Sequence, residues 1–181
     1  NSTHSTGEHS KGMLLMDGNQ KVSHIGNLLI SNVDRNPMVS AAEVVLVNNF
    51  VTNFGSGRVI YARNGGHPSS QYVQQAEITA IGNYVQGGPD SRSNNVYIQA
   101  SDTANDEPAG EKAVLAYLKD NILLNPDGTP MTTITGSFKL ADAPIDWPEG
   151  LEAHEAFKTP ELVMANAGAT PWNRDAIDQR L

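Results

Sequence analysis

The segment Ile25-Gly26-Asn27-Leu28-Leu29-Ile30-Ser31-Asn32 decides the fold, because the chain repeats its pattern three more times. In each copy an aliphatic residue, a spacer and an asparagine precede two or three apolar residues. The other copies are Val47-Asn48-Asn49-Phe50-Val51-Thr52-Asn53, Ile81-Gly82-Asn83-Tyr84-Val85-Gln86-Gly87 and the weaker Leu118-Lys119-Asp120-Asn121-Ile122-Leu123-Leu124-Asn125. Such internal repetition predicts a solenoid, in which each unit buries its apolar face against its neighbours.

The spacing of the central asparagines indicates the type of solenoid. They lie 22 (49 − 27), 34 (83 − 49) and 38 (121 − 83) residues apart. The shortest interval is about one turn of a right-handed solenoid of short parallel strands, and the longer intervals require inserted loops. Since an amide both donates and accepts, amides one strand spacing apart can hydrogen-bond along the stack. We therefore predict an all-β, right-handed parallel β-helix in which these asparagines form a structural ladder rather than a catalytic group.

The chain divides into a repeating part and a tail. We assign residues 1–140 to the coils, with polar loops inserted at 63–74, 87–94 and 101–111. Residues 141–181 lack the repeat and are predicted to pack outside the solenoid. Within this tail Thr159-Pro160 and Thr170-Pro171 each predict the start of a short helix, because threonine is a common cap and proline suits the first helical position.

Composition excludes several classes of function. The 181 residues suit one domain, and a net charge of −8 with a pI near 5.0 leaves no basic stripe for nucleic acid. No run of eighteen apolar residues occurs, so the sequence predicts no membrane span. An acidic polymer remains a possible substrate, because a few cations in one groove can bind it locally.

Lys11 and Arg35 stand out because the chain has only 12 lysines and arginines. They are 24 (35 − 11) residues apart, so coils of about two dozen residues would place them side by side on one face. Lysine offers a point charge and arginine a planar fork, a combination that suits a sugar carboxylate. The alternative is that both are solvated or paired surface residues, for instance Arg35 with Asp34.

Other common site patterns are missing from the sequence. Histidines 4, 9, 24, 67 and 154 show no zinc-like spacing. The loop carboxylates do not form an acidic twelve-residue calcium loop; they are Asp17, Asp34, Asp90, Asp102, Asp106 and Glu107. There is no nucleophile elbow of the Gly-x-Ser-x-Gly type, no phosphate-binding glycine loop and no cysteine.

Three stretches resemble signature segments of the pectate lyases of polysaccharide lyase family 1. They are His9-Ser10-Lys11-Gly12-Met13-Leu14-Leu15, Asp34-Arg35-Asn36-Pro37 and Glu43-Val44-Val45-Leu46-Val47-Asn48-Asn49-Phe50. The closing Trp147-Pro148-Glu149-Gly150-Leu151-Glu152 and Ala165-Asn166-Ala167-Gly168-Ala169-Thr170-Pro171-Trp172-Asn173-Arg174-Asp175-Ala176 are similar to the C-terminal tail of many bacterial members. The resemblance covers most of the chain in matching order.

The resemblance implies a function and a set of site residues. Members of that family are parallel β-helices that cleave pectic polymers by β-elimination, with calcium bridging substrate carboxylates. It implies that Arg35 is the catalytic base, and that Lys11, together with His9, Asp34 and Arg63, binds substrate. Such an enzyme would be secreted or periplasmic. One departure is Ser40, since the family often has a second arginine five positions after the catalytic one.

The resemblance also implies a partner and a source of metal ligands. The family builds further coils before the Lys11 stretch and takes its main calcium ligands from them. We therefore assign no metal ligand within the chain and expect the calcium ligands mainly from a segment that precedes Asn1. This N-terminal segment of the same protein would belong to the same polypeptide or to a separate chain.

Two other functions compete with a lyase. The first is a non-catalytic β-helix that binds glycans, as in an adhesin or a tailspike. A hydrolytic β-helix is the second, and for it the sequence offers no carboxylate pair of the kind that glycoside hydrolysis uses. An unsaturated product would distinguish a lyase from both.

Overall fold

The computed structural model describes residues 5, 7, 9–16, 18–64, 75–101, 113–168, 170–177 and 179. In these residues fourteen strands alternate with short corners and form three sheets. The strands are β1 (Leu14–Met16), β2 (Val22–Ile25), β3 (Leu28–Ile30), β4 (Met38–Ser40), β5 (Glu43–Val47), β6 (Phe50–Thr52), β7 (Arg58–Arg63), β8 (Glu77–Ile81), β9 (Tyr84–Gln86), β10 (Val96–Ser101), β11 (Val114–Lys119), β12 (Ile122–Leu124), β13 (Thr132–Gly136) and β14 (Phe138–Leu140).

Every third strand joins the same sheet, and all pairings are parallel. The first sheet has the order β1-β4-β7-β10-β13, the second β2-β5-β8-β11-β14 and the third β3-β6-β9-β12. This arrangement is a parallel β-helix, which confirms the predicted fold class. Four complete coils are present, and β13 and β14 add a partial fifth coil after the last copy of the sequence repeat.

The asparagine ladder occupies the corner between the second and third sheets. Each amide nitrogen donates to the amide oxygen of the next coil: Asn27 to Asn49 at 3.1 Å, Asn49 to Asn83 at 3.0 Å and Asn83 to Asn121 at 2.9 Å. The backbone N–H of each donor residue binds the same oxygen at 3.0 Å. The predicted ladder is therefore confirmed, and it satisfies the backbone where the chain bends.

The residue before each ladder asparagine adopts the left-handed conformation, which turns the chain within two residues. These residues are Gly26 (φ 65°), Asn48 (φ 48°), Gly82 (φ 67°) and Asp120 (φ 48°). Glycine, asparagine and aspartate are the types that enter this region at least cost. The spacer of the sequence repeat is thus a conformational requirement of the corner.

The core is the column enclosed by the three sheets. Alternate residues of successive strands stack in it, and all of the following are at most 2% exposed: Val39, Leu46, Ile60, Ile78, Ile98 and Val114. Residues on either side of these in each strand face outward. The side chains of Ser40, Arg63 and Gln99 accordingly lie on the outer face of the first sheet.

The two longest connections between strands occur at the same corner. The connections 64–76 and 102–113 both join a strand of the first sheet to a strand of the second sheet. The predicted polar loops 63–74 and 101–111 fall mostly outside the described residues. Their anchor points, Arg63 and Ser101, end neighbouring strands of the first sheet.

The C-terminal tail is fastened to the ladder corner. The amide of Asn48 donates to the carbonyl oxygen of His154 (2.8 Å) and to Oγ1 of Thr159 (2.9 Å), and its oxygen accepts from the N–H of His154 (2.9 Å). The hydroxyl of Thr159 donates in turn to the carbonyl oxygen of Gly82 at 2.7 Å. These buried and partly buried bonds join the tail to the second and third coils.

One of the two predicted tail helices forms, with a different start. A 3-10 turn (Ala156–Lys158) leads into helix α1 (Thr159–Asn166), and Lys158 is the cap residue. The prediction that Thr159 caps the helix is wrong, because its hydroxyl is committed to Asn48 and Gly82. The chain makes a turn rather than a helix at Pro171-Trp172. No helix among the described residues is long and apolar enough to cross a bilayer.

Candidate functional site on the first sheet

The candidate site begins at a turn between β3 and β4 that carries Arg35. Arg35 has φ 64°, a left-handed conformation that strains a residue with a long side chain. Its N–H donates to Oδ1 of Asp34 at 2.8 Å, and its carbonyl oxygen accepts from the N–H of Met13 at 2.8 Å. The backbone of Arg35 is therefore fixed from both sides, by its neighbour and by the preceding coil.

Gly12 allows this close approach of the two coils. A Cβ atom at position 12 would lie 2.5 Å from the carbonyl oxygen of Arg35 and 3.0 Å from Oδ1 of Asn36. No side chain fits at the first distance without movement of the backbone of the turn. Glycine at position 12 is thus a condition for the observed placement of Arg35.

Asp34 organises the charged groups around the turn. Its side chain is buried, at 7% exposure, and its Oδ2 lies 3.1 Å from Nη2 of Arg58 and 3.5 Å from Nζ of Lys11. Burial by itself raises the pKa of Asp34, but the N–H of Arg35 and the two cations outweigh it, and the pKa is lowered. Asp34 is therefore a buried anion shared by two coils.

The structure places Lys11 beside Asp34. The two residues pair across the coils, 23 (34 − 11) residues apart, which is one less than the interval used to predict a pairing of Lys11 with Arg35. The alternative, an ion pair between the side chains of Arg35 and Asp34, does not form. The hydrogen bond between these two residues comes from the backbone N–H of Arg35 and not from its guanidinium. The guanidinium of Arg35 makes no hydrogen bond or ion pair with any described residue.

Arg63 reaches the position where the resemblance leads one to expect a second arginine. Arg63 and Ser40 are register partners on neighbouring strands, and Nε of Arg63 donates to Oγ of Ser40 at 2.9 Å. Ser40 is fully buried and Arg63 is half-buried. A guanidinium from the next coil therefore covers the small hydroxyl of Ser40.

Arg58, which no sequence motif marks, is central to this cluster. Besides its bond to Asp34, its Nη1 donates to Oε1 of Gln99 at 2.8 Å, and its guanidinium lies 4.2 Å from the ring centroid of Tyr61. The available signal was the interval of 24 (58 − 34) residues between Asp34 and Arg58, which is about one coil.

His9, the remaining predicted substrate-binding residue, is half-buried two positions before Lys11. Its assignment stays a prediction. Several other residues considered from the sequence lie outside the described part of the chain, namely His4, Asp17, His67, Asp102, Asp106 and Glu107.

The expected source of the calcium ligands, a segment that precedes Asn1, also falls outside the described structure. Asn1 itself is not among the described residues, which begin at position 5. The structure therefore places no ligand from that segment beside Arg35. The expectation that the metal ligands come from before Asn1 stays a prediction.

A separate acidic cluster lies on the second sheet. Carboxylate oxygens of Glu43, Glu77 and Asp146 come within 4.8 Å of one another, the sole such group of three potential ligands among the described residues. Partial burial and repulsion from the other two carboxylates raise the pKa of Glu77. Among the described residues, Asp34 is the acidic residue beside Arg35, and Lys11 and Arg58 already neutralise its charge. The described residues around Arg35 therefore do not fit a calcium ion.

Comparisons with protein-family models, with curated proteins and with solved structures gave no match. The chain is a parallel β-helix. At the Arg35 turn the strained residue is a half-buried arginine whose guanidinium makes no hydrogen bond or ion pair with a described residue. Functional assignment therefore depends on the chemistry of the turn and of the cations beside it.

Proposed function

We propose that the protein is a polysaccharide lyase that cleaves polygalacturonate-like uronic acid polymers by β-elimination. The observation that carries the proposal is the uncommitted guanidinium of Arg35, held on a left-handed turn among further cations. A left-handed conformation costs a non-glycine residue about 1–2 kcal/mol. Such strain at a residue whose side chain makes no hydrogen bond or ion pair with the described fold is typical of functional positions.

The cations near Arg35 are suited to a polymer with a carboxylate on every sugar. Lys11 is partly exposed, with 25% of its side chain accessible, and at 3.5 Å its contact with Asp34 is long for a hydrogen bond. Its remaining donors are available to a substrate carboxylate. Arg63 lies on the outer face of the first sheet, and only its Nε binds Ser40. Its terminal nitrogens can therefore bind another carboxylate of the same polysaccharide chain.

The proposed chemistry is removal of a proton from the carbon beside the sugar carboxylate. The electron pair of that C–H bond forms a carbon–carbon double bond, the adjacent bond to the glycosidic oxygen breaks, and that oxygen takes a proton from water. Arg35 is the proposed proton acceptor, which requires its guanidinium first to release a proton to solvent. Cations facing the substrate carboxylate stabilise the negative charge that develops on it.

Calcium is part of the proposal through the resemblance, with its ligands expected from a segment that precedes Asn1. No step above is assigned to it. A lyase of this kind would lose activity with a chelator and regain it with added calcium. If chelation leaves the rate unchanged, the cofactor assignment is wrong while the elimination chemistry stands.

The proposal includes an N-terminal segment that adds coils to the open end of the solenoid. In the described part of the chain no strand pairs with the outer edges of β1, β2 and β3. The ladder also remains open there, since Oδ1 of Asn27 accepts no hydrogen bond from a described residue. A further coil with an asparagine at the ladder position would satisfy both. Amide hydrogen exchange of β2 and β3 would be slower in the complete protein than in this chain alone.

The activity test follows from the product. Elimination creates an unsaturated sugar that absorbs in the ultraviolet, whereas hydrolysis does not. The intact protein with calcium and polygalacturonate is expected to produce this absorbance, and the matched Arg35→Ala protein is not. Failure of the intact protein on polygalacturonate, methylated pectin and other uronate polymers, with retained binding to one of them, would favour a glycan-binding module instead.

A further inference from the structure

Among the buried side chains, His24 and Asn36 carry nitrogen atoms that have no hydrogen-bond partner among the described residues. His24 lies on β2, faces inward and is 8% exposed, and neither Nδ1 nor Nε2 makes a hydrogen bond. Asn36, which directly follows Arg35, is 2% exposed. Its Oδ1 accepts from Asn32 at 3.0 Å, but its Nδ2 donates to no described residue. Buried polar groups are rarely left unsatisfied, so these atoms require an explanation.

His24 and Asn36 line the same small cavity. Its volume is about 10 Å³, which is close to the space that one water molecule needs. Its other walls include Pro37, Leu46, Ile60 and Tyr97. Tyr97 is buried and its hydroxyl makes no hydrogen bond with a described residue. The cavity therefore combines the room for one water with polar groups on its lining.

We propose that one structural water occupies this cavity and hydrogen-bonds the imidazole of His24 and the amide of Asn36. The water accepts from Nδ2 of Asn36 and donates to one ring nitrogen of His24, and its second lone pair can accept from the hydroxyl of Tyr97. Three partners are typical of a buried water. The water would be present whether or not the protein is a lyase.

The water links the core to the turn that carries Arg35. The N–H of Asn36 already donates to the carbonyl oxygen of Val59 at 2.9 Å, so the water adds a side-chain connection on the core side of the turn. The link requires an uncharged ring at His24, because a doubly protonated imidazole cannot accept from the water. Burial lowers the pKa of His24 and favours this form. Among the residues that line the cavity, Tyr97 is the only other titratable group.

A high-resolution crystal structure of the protein is the direct test. We expect an electron-density peak within about 2.7–3.2 Å of both a ring nitrogen of His24 and Nδ2 of Asn36. His24→Gln keeps one donor and one acceptor and is expected to retain the peak. His24→Leu removes the partner and is expected to lose it.

Three results would overturn the proposal: an empty cavity in the wild type, a direct hydrogen bond between His24 and Asn36, or a peak that persists in His24→Leu. If His24→Leu does not fold, the wild type and His24→Gln decide. The pH dependence of unfolding gives an independent readout, because a lowered pKa means that stability is lost as pH falls below the ordinary value of 6.5. His24→Gln should lack this contribution, and an identical pH dependence would count against the neutral, water-bound histidine.

Discussion

The ladder corner and the Arg35 turn both contain left-handed residues, but the polar side chains at the two places differ in their hydrogen bonding. At the ladder corner the spacers are Gly26, Asn48, Gly82 and Asp120, and each inner amide is bonded to the next coil. At the Arg35 turn a long cation takes the strained position and its guanidinium has no partner among the described residues. The amides that hold the ladder corner are satisfied by the protein, whereas the guanidinium of Arg35 is left for the ligand that we propose.

Removal of an inner ladder amide should have the largest effect on stability. Asn83 donates to Asn121 and to the carbonyl oxygen of Leu46, and it accepts from both nitrogens of Asn49. Asn83→Ala leaves several buried groups unpaired, at about 1–3 kcal/mol each. We expect a loss of roughly 4 kcal/mol in the free energy of unfolding, measured with a chemical denaturant.

The end of the ladder provides the matched control. Asn27 is half-exposed and has one neighbour in the ladder rather than two. Asn27→Ala should therefore lower the free energy of unfolding by only about 1 kcal/mol. Equal losses for the two variants would show that the ladder does not act as a cooperative buried stack.

A methyl group added at position 12 should displace the Arg35 turn, because Gly12 lies directly against the carbonyl oxygen of Arg35. The Cβ of Gly12→Ala would meet the carbonyl oxygen of Arg35 at 2.5 Å, so the turn must shift. Overpacking of this kind costs about 1–3 kcal/mol. We expect a loss of about 2 kcal/mol in unfolding free energy, together with a fall in kcat that exceeds any change in KM.

Gly26→Ala is the control for this variant. Gly26 has positive φ, unlike Gly12, but a Cβ there would meet no atom within 4 Å. Its effect should be confined to the conformational cost of about 1 kcal/mol, with kcat unchanged. A comparable loss of kcat in both variants would show that activity does not depend on the position of the Arg35 turn.

A substitution in the acidic cluster should change the free energy of unfolding least, and it should raise this free energy rather than lower it. Glu43 and Glu77 are register partners, and like charges directly opposite each other are destabilising by a few tenths of a kcal/mol. Because the pKa of Glu77 is raised above 4.5, its contribution to stability is present at low pH and is lost as pH rises through that raised value. Glu77→Gln should stabilise the protein by about 0.5 kcal/mol at about pH 7 and by nothing at about pH 4. A difference that does not change with pH would exclude the repulsion.

Residues that repeat in the sequence could be placed from the sequence, and residues that depend on register could not. The ladder was predictable because an identical side chain recurs at the same corner of each coil. The pairing of Lys11 with Asp34 was missed by one position, since a shift of one residue in a strand exchanges its two faces. Arg58 was missed because its role requires knowing which residue of the next coil lies above Asp34.

His24 illustrates a different limit of the sequence. It follows Ser23 in a short strand and carries no motif, so nothing in the pattern distinguishes it from a surface histidine. Only the closed solenoid shows that it faces the core together with Asn36. The unpaired atoms of both residues are properties of the packed structure, which local sequence does not specify.

The most direct test of the account is the turnover of Arg35→Lys in the intact protein, measured by ultraviolet absorbance with polygalacturonate and calcium. Lysine keeps the charge but not the planar fork, and the guanidinium of Arg35 makes no hydrogen bond or ion pair with a described residue. The account predicts a fall in kcat of about 10³-fold or more, with the free energy of unfolding unchanged within about 0.5 kcal/mol. Turnover near that of the wild type, or a loss of activity that merely follows unfolding, would contradict it.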